Sequence, residues 1–151
     1  MIMKVGDKAP DFELPDDKGR LTKLSDFKGK KVVLYFYPKD MTPGCTIEAC
    51  SFRDNYEKFK KKDVKILGVS ADDRISHEKF SGKHNLTFPL LSDVGKKICR
   101  KYGVWKEKNF LGKKFMGIER TTFLIDEKGA IAKIFPKVKV VGHWKEVLDS
   151  I

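Results

Sequence analysis

The sequence predicts an α/β fold with a mixed central sheet flanked by helices, and three observations carry that prediction. Lys31 to Tyr37 is apolar on both faces, as a strand covered on each side by helices must be. Strand-like and helix-like segments alternate through the middle of the chain. Near the end, two strand-like runs are separated by a turn too short for a crossover, which adds antiparallel pairing to a parallel sheet.

Each element has its own signal. Pro38 stops the first strand, and Pro43 to Lys60 reads as an amphipathic helix, with Ile47, Phe52, Tyr56 and Phe59 among charged residues at roughly helical spacing. Val64 to Ser70 is the next strand. Arg74 to His84 suits a helix, Phe88 to Leu91 a short strand, and Val94 to Tyr102 a helix with Val94, Ile98 and Tyr102 on one face. Thr121 to Asp126 and Ala130 to Phe135 are strands joined through Glu127-Lys128-Gly129, and a last helix runs from about His143 to Ser150. The order indicates a thioredoxin-like sandwich.

At 151 residues, with no repeat, low-complexity tract or Ser/Gly linker, residues 1–151 are expected to form a single domain with its own core. No run approaches the roughly 18 apolar residues of a membrane span. Lys4 and Asp7 fall where an export signal needs an unbroken apolar stretch, so a cytoplasmic protein without membrane attachment is expected. The net charge of +11 raises the question of nucleic acid, but the lysines are scattered and no zinc-finger or RNA-binding signature accompanies them. A solvated surface is the reading, with no nucleic-acid partner. Asp16-Asp17 and Asp72-Asp73 read as solvated acidic pairs in turns.

The chemistry concentrates in Tyr35 to Asp54, YFYPKDMTPGCTIEACSFRD, which joins a strand to a helix. Thr42 is a good N-cap and Pro43 suits the first helical position, so Gly44 falls second and Cys45 third. Stability alone would put Glu or Gln third and would avoid glycine second. Departures of this kind mark functional sites. A sulfur in the first turn meets backbone N–H groups without helical partners and the positive end of the helix dipole, both of which favour thiolate. A thiolate attacking a peroxide O–O bond becomes sulfenic acid and releases water or alcohol. The Thr42 hydroxyl can donate to the sulfur or hold a peroxide oxygen, and Gly44 leaves the approach open. Cys50, five residues on, is a second thiol on the same segment.

Pro38, Thr42 and Cys45 match the P-x-x-x-T/S-x-x-C signature of peroxiredoxins, and the surrounding segment resembles the bacterioferritin-comigratory, or peroxiredoxin Q, branch. The resemblance extends from Gly6-Asp7-Lys8-Ala9-Pro10-Asp11-Phe12 through Leu90-Leu91-Ser92-Asp93 and Tyr102-Gly103-Val104-Trp105 to Arg120-Thr121-Thr122-Phe123-Leu124-Ile125-Asp126. It implies a thioredoxin-like fold and reduction of hydrogen peroxide and organic hydroperoxides without a metal or other cofactor. Regeneration would come from thioredoxin or a similar dithiol reductant, and the chain would be a monomer or weak dimer. Cys45 resembles the peroxidatic cysteine, Cys50 the resolving cysteine that takes up the sulfenic acid as a disulfide, Thr42 the peroxide-orienting hydroxyl and Pro38 the residue shielding the pocket. Arg120 resembles the active-site arginine, and Glu48 the glutamate that orients it from behind.

Cys99 departs from the branch pattern. A half-buried structural cysteine beside Val94, Ile98 and Tyr102 is one reading, and a resolving role is the other. His77, His84 and His143 form no sequence cluster with the cysteines, so the C-x₄-C of Cys45 and Cys50 lacks the second ligand pair of a zinc site. Two other functions compete: a general dithiol oxidoreductase or redox carrier, which the four residues between Cys45 and Cys50 oppose, and a basic nucleic-acid-binding protein with an incidental thiol.

Overall fold

A computed structural model describes residues 3–151. Its centre is a five-stranded sheet in the order β5-β4-β3-β8-β9, where β3 is Lys31–Phe36, β4 Val64–Ser70, β5 Leu90–Ser92, β8 Thr121–Ile125 and β9 Ile131–Phe135. β3, β4 and β5 run parallel, and β8 and β9 are antiparallel. The sheet is therefore mixed, as expected.

The helices α1 (Pro43–Asp54), α2 (Tyr56–Lys61), α3 (Arg74–His84), α4 (Lys97–Lys101) and α5 (His143–Asp149) cover it. Alternation along β3 sorts its side chains into two cores. Val33, Tyr35 and the following Tyr37 pack with Cys45, Ala49 and Phe52 of α1, Phe59 of α2, Phe80 of α3 and Val147 of α5. Val32, Leu34 and Phe36 point the other way, to Ile98 and Cys99 of α4, Tyr102 and the N-terminal Phe12 and Leu14.

The structure corrects several sequence expectations. The helix expected from Pro43 to Lys60 is broken at Asn55, whose backbone (φ −111°, ψ 13°) separates α1 from α2. Val94 lies outside α4 and is 57% exposed, so α4 begins later than periodicity implied. Two hairpins escaped the reading. β1 (Glu13–Pro15) pairs with β2 (Leu21–Lys23), ahead of a short 3-10 turn, and β6 (Trp105–Phe110) pairs with β7 (Lys113–Ile118). The second turns at Leu111-Gly112 with φ positive at both residues (51° and 79°), a conformation that asparagine or glycine usually signals and leucine hides.

Of the acidic pairs read as solvated, Asp16 and Asp17 are buried, Asp72 is half-buried and only Asp73 is exposed. The Asp16 carboxylate accepts the backbone N–H groups of Lys18 and Arg20, and Asp17 accepts that of Leu90. Asp73 caps α3 by accepting the Ser76 N–H, and Asp72 accepts from the Asp40 N–H and the Ser70 hydroxyl. No helix among the described residues is long and apolar enough to cross a membrane.

Candidate active site

The site forms where β3 hands over to α1. Antiparallel pairing sets Phe36 opposite Thr121, so Arg120, one residue ahead of β8, lies beside the end of β3 from which the chain enters α1. Topology thus brings residues 75 positions apart into contact.

Thr42 is the N-cap of α1 (φ −79°, ψ 152°) with Pro43 at the first helical position, which places Gly44 second and Cys45 third. The first helical bond runs from the Thr46 N–H to the Thr42 carbonyl at 2.9 Å. The Thr42 side chain does not cap the helix. Its hydroxyl donates to the Lys39 carbonyl at 2.8 Å, which commits its hydrogen and leaves the oxygen lone pairs to accept. The expected donation from Thr42 to sulfur is corrected accordingly.

Cys45 is 1% exposed, against Tyr35, Tyr37, Ala49 and Phe52. Arg120 divides its guanidinium: Nη2 donates to Cys45 Sγ at 3.3 Å, and Nη1 donates to Glu48 Oε1 at 2.7 Å. Charge-assisted bonds of this kind stabilise an anionic sulfur. The charges of Glu48 and Cys45 hold the Arg120 pKa above its ordinary value despite burial. Burial raises the Glu48 carboxyl to about 7, and Arg120 offsets only part of that rise. Glu48 Oε2 is buried with no partner among the described residues.

Gly44 lies against the Arg120 guanidinium. A Cβ built there would lie 3.2 Å from Arg120 Nη2, so the missing side chain makes room for the guanidinium. Pro38 is half-buried at the end of β3. Cys50 is also half-buried and lies in α1, and both it and Cys45 are free thiols. Cys99 is wholly buried in the core on the opposite face of the sheet. Burial and the neighbouring Asp93 push its thiol far up, so it is poorly ionised as well as remote.

Sequence reasoning missed the polar cluster behind the Pro38–Thr42 segment. Asp40, Asp72 and His77 bring one ligand atom each within 4.8 Å of one another, a spacing compatible with a metal. Those atoms already have protein partners. Asp40 Oδ2 accepts from the Ser76 hydroxyl and lies 2.6 Å from His77 Nδ1, while Asp72 Oδ2 takes the Asp40 N–H and the Ser70 hydroxyl. The cluster is a closed hydrogen-bond network. Asp40 alone gave no sequence signal, because its partners come from α3 and from the end of β4.

The chain is similar to known proteins over most of its length. The AhpC/TSA family matches residues 5–134. Peroxiredoxin Bcp of Bacillus subtilis is 54% identical over 151 residues, covering 100% of this chain and 96% of that protein. Peroxiredoxin Bcp of Escherichia coli is 47% identical over 147 residues, with 97% and 94% covered. Among solved structures, bacterioferritin comigratory protein of Xanthomonas campestris, studied for alkyl peroxide reduction, superposes with a TM-score of 0.88 at 45% identity, covering 92% of this chain and 88% of that one. A PrxQ mutant of Xylella fastidiosa gives 0.93 at 38% identity, with 97% and 94% covered.

Proposed function

The chain belongs to the AhpC/TSA family and is a thiol-dependent peroxidase with a thioredoxin fold, in which we propose that Cys45 is the peroxidatic and Cys50 the resolving cysteine. The family implies a peroxide substrate and a thiol reductant such as thioredoxin. The observation that carries the assignment is the contact of Arg120 Nη2 with Cys45 Sγ in the first turn of α1.

The Cys45 thiolate attacks the terminal peroxide oxygen. An S–O bond forms, the O–O bond breaks, and the departing alkoxide or hydroxide takes up a proton and leaves as alcohol or water. Arg120 stabilises the charge that develops on the leaving oxygen. Thr42, whose hydroxyl hydrogen is committed to Lys39, accepts the peroxide O–H and orients it. Glu48 holds Arg120 from behind. Pro38 and Gly44 shape the pocket, and Gly44 also admits the guanidinium.

The Cys50 thiol then displaces water from the sulfenic acid to form a disulfide, and a dithiol reductant restores both thiols by exchange. Five residues along an α-helix separate Cα atoms by roughly 8 to 9 Å. A disulfide needs about 7 Å or less. The regular α1 must therefore unwind between the two steps.

Residues 1–151 act as one thioredoxin-like domain in this reading, supported by the packing of Phe12 and Leu14 into the same core as β3. No metal or nucleic acid takes part. A net charge of +11 makes copies of the chain repel one another, in keeping with a monomer or weak dimer, and three free cysteines suit the reducing cytoplasm.

Intact-mass measurement after one equivalent of peroxide, followed by peptide mapping, tests the scheme. The expected product has lost two hydrogens and links Cys45 to Cys50. A disulfide to Cys99, or stable oxidation elsewhere, contradicts it.

A further inference from the structure

The segment between β3 and α1 contains a conformation that needs support. Met41 has φ 64°, in the left-handed region that a side chain with a Cβ enters only under strain. Met41 is exposed, so its own packing cannot hold it there. Its neighbour Asp40 is 4% exposed and fully engaged. The Asp40 N–H donates to Asp72 Oδ2 at 2.8 Å, Tyr37 Oη donates to Asp40 Oδ1 at 2.6 Å, and Ser76 Oγ donates to Asp40 Oδ2 at 2.8 Å. His77 Nδ1 completes the set at 2.6 Å from Asp40 Oδ2.

His77 is itself wholly buried, and its other nitrogen faces the Leu91 carbonyl at 2.9 Å. A carbonyl oxygen only accepts, so Nε2 carries a hydrogen. Proton sharing across the short Nδ1 contact then makes the ring and Asp40 a buried charge pair anchored to β5. Breaking such a pair from one side is costly because it strands the other charge. Ser76 and His77 belong to α3, so α3 clasps the chain two residues before Thr42.

We propose that Asp40 and His77 are positioning residues for peroxide reduction: they pin Pro38–Thr42 to α3, which places Thr42 and governs how readily α1 unwinds. This rests on the reading of Cys45 as peroxidatic and Cys50 as resolving. The clasp acts on a choice between two fates of the Cys45 sulfenic acid. While the pocket is intact, a second peroxide transfers an oxygen to sulfur, leaves as alcohol or water, and produces sulfinic acid. Once α1 opens, the Cys50 thiol displaces water and produces the disulfide. A firm clasp speeds the first attack on peroxide and delays resolution. A loose clasp slows the first attack, hastens resolution and protects Cys45 from overoxidation.

Two variants of His77 separate this role from packing. His77→Asn puts a side-chain N–H close to the Nδ1 position and keeps the bond to Asp40, whereas His77→Gln reaches toward the Leu91 carbonyl and loses Asp40. Both remove the ring and its charge. The readouts are the second-order rate constant for hydrogen peroxide, the disulfide formation rate, and the sulfinic acid fraction at excess peroxide by mass spectrometry.

In His77→Gln the peroxide rate constant is expected to fall about ten- to a hundredfold, the range that small misplacements of a reacting site produce. Its disulfide formation rate should rise and its sulfinic fraction drop, while His77→Asn, which keeps the bond to Asp40 without the charge, shifts much less in all three. Should His77→Gln not fold, the double variant Tyr37→Phe/Ser76→Ala, which deletes two bonds to Asp40 without stranding a charge, should show the same opposed shifts. A wild-type enzyme that forms no Cys45–Cys50 disulfide overturns the site reading and this proposal with it. A normal wild-type disulfide with Gln and Asn variants alike, or with both rates falling together, overturns this proposal alone.

Discussion

Arg120 Nη2 lies 3.3 Å from Cys45 Sγ, although the two residues are separated by 75 positions and sit on different elements. The contact exists because β8 pairs antiparallel to β3, which brings Arg120, the residue just ahead of β8, to the start of α1. Cys45→Ser is expected to abolish peroxide reduction while circular dichroism and thermal midpoint stay near wild type, because serine keeps the volume and loses the nucleophile. Retained peroxidase activity in a coupled assay would remove Cys45 from the mechanism.

Arg120→Ala should slow the reaction with peroxide by about 10²- to 10³-fold, the usual effect of losing a donor to a developing oxyanion. It should also destabilise the fold by about 3 kcal/mol, since Glu48 is left buried without its partner. Urea unfolding and stopped-flow kinetics on the same variant measure the two effects.

Gly44→Ala tests the space beside the guanidinium. Alanine in a helix is favoured over glycine by about 1 kcal/mol, so the variant should be no less stable than wild type. Its Cβ would stand 3.2 Å from Arg120 Nη2 and push the guanidinium off sulfur. The expected pattern is a peroxide rate reduced about tenfold without loss of stability. An unchanged rate would show that Arg120 does not need the gap.

Much of this site was legible in the sequence because it is local. Thr42, Pro43, Gly44, Cys45, Glu48 and Cys50 fall within nine consecutive residues, and capping rules place them on one helix start. The orientation of the Thr42 hydroxyl was not legible, because its acceptor is a backbone carbonyl whose direction depends on the turn at Met41. Asp40, Asp72 and His77 read as ordinary polar residues, since only the packing of α3 against the end of β3 brings them together. The sheet was legible where strands are buried on both faces. β6 and β7 were not, because they are largely exposed and their alternation is blurred by lysines.

Glu48→Gln should alter the pH dependence of stability. The folded carboxyl has a pKa of about 7 against an ordinary 4.5, so between these values the native state binds more protons than the unfolded chain. Stability from this group is then fully present below pH 4.5 and lost as pH rises to about 7, by an amount on the order of 3 kcal/mol. Subtracting the Glu48→Gln unfolding curve from wild type should reveal this decline and a plateau above it. A flat difference from pH 4 to 8 would show that Glu48 titrates in the folded protein as it does in the unfolded chain.

Cys99→Ala is expected to leave steady-state turnover unchanged, because Cys99 faces the core across the sheet from Cys45. Its cost should be in stability, about 1–2 kcal/mol for a small cavity. Lost turnover together with a mapped Cys45–Cys99 disulfide would reverse the assignment.

Hydrogen exchange should distinguish the reduced from the disulfide form. Amides from Thr42 to Phe52 are expected to exchange faster once Cys45 and Cys50 are joined, while β3 and β4 remain protected. Equal protection of this segment in both forms would rule out unwinding as the route to the disulfide.

The break at Asn55 bears on the temperature dependence of turnover. Because α1 ends there and α2 starts afresh, opening can stop after twelve residues, with Phe59 still seated in the core. Unfolding carries a heat-capacity increment of about 12–15 cal/mol/K per residue, so this opening involves at most about 0.2 kcal/mol/K. The enthalpy of opening therefore drifts only a few kcal/mol over twenty degrees, and an Eyring plot of disulfide formation should be close to straight. A single uninterrupted helix would have tied that step to a larger melting unit and bent the plot.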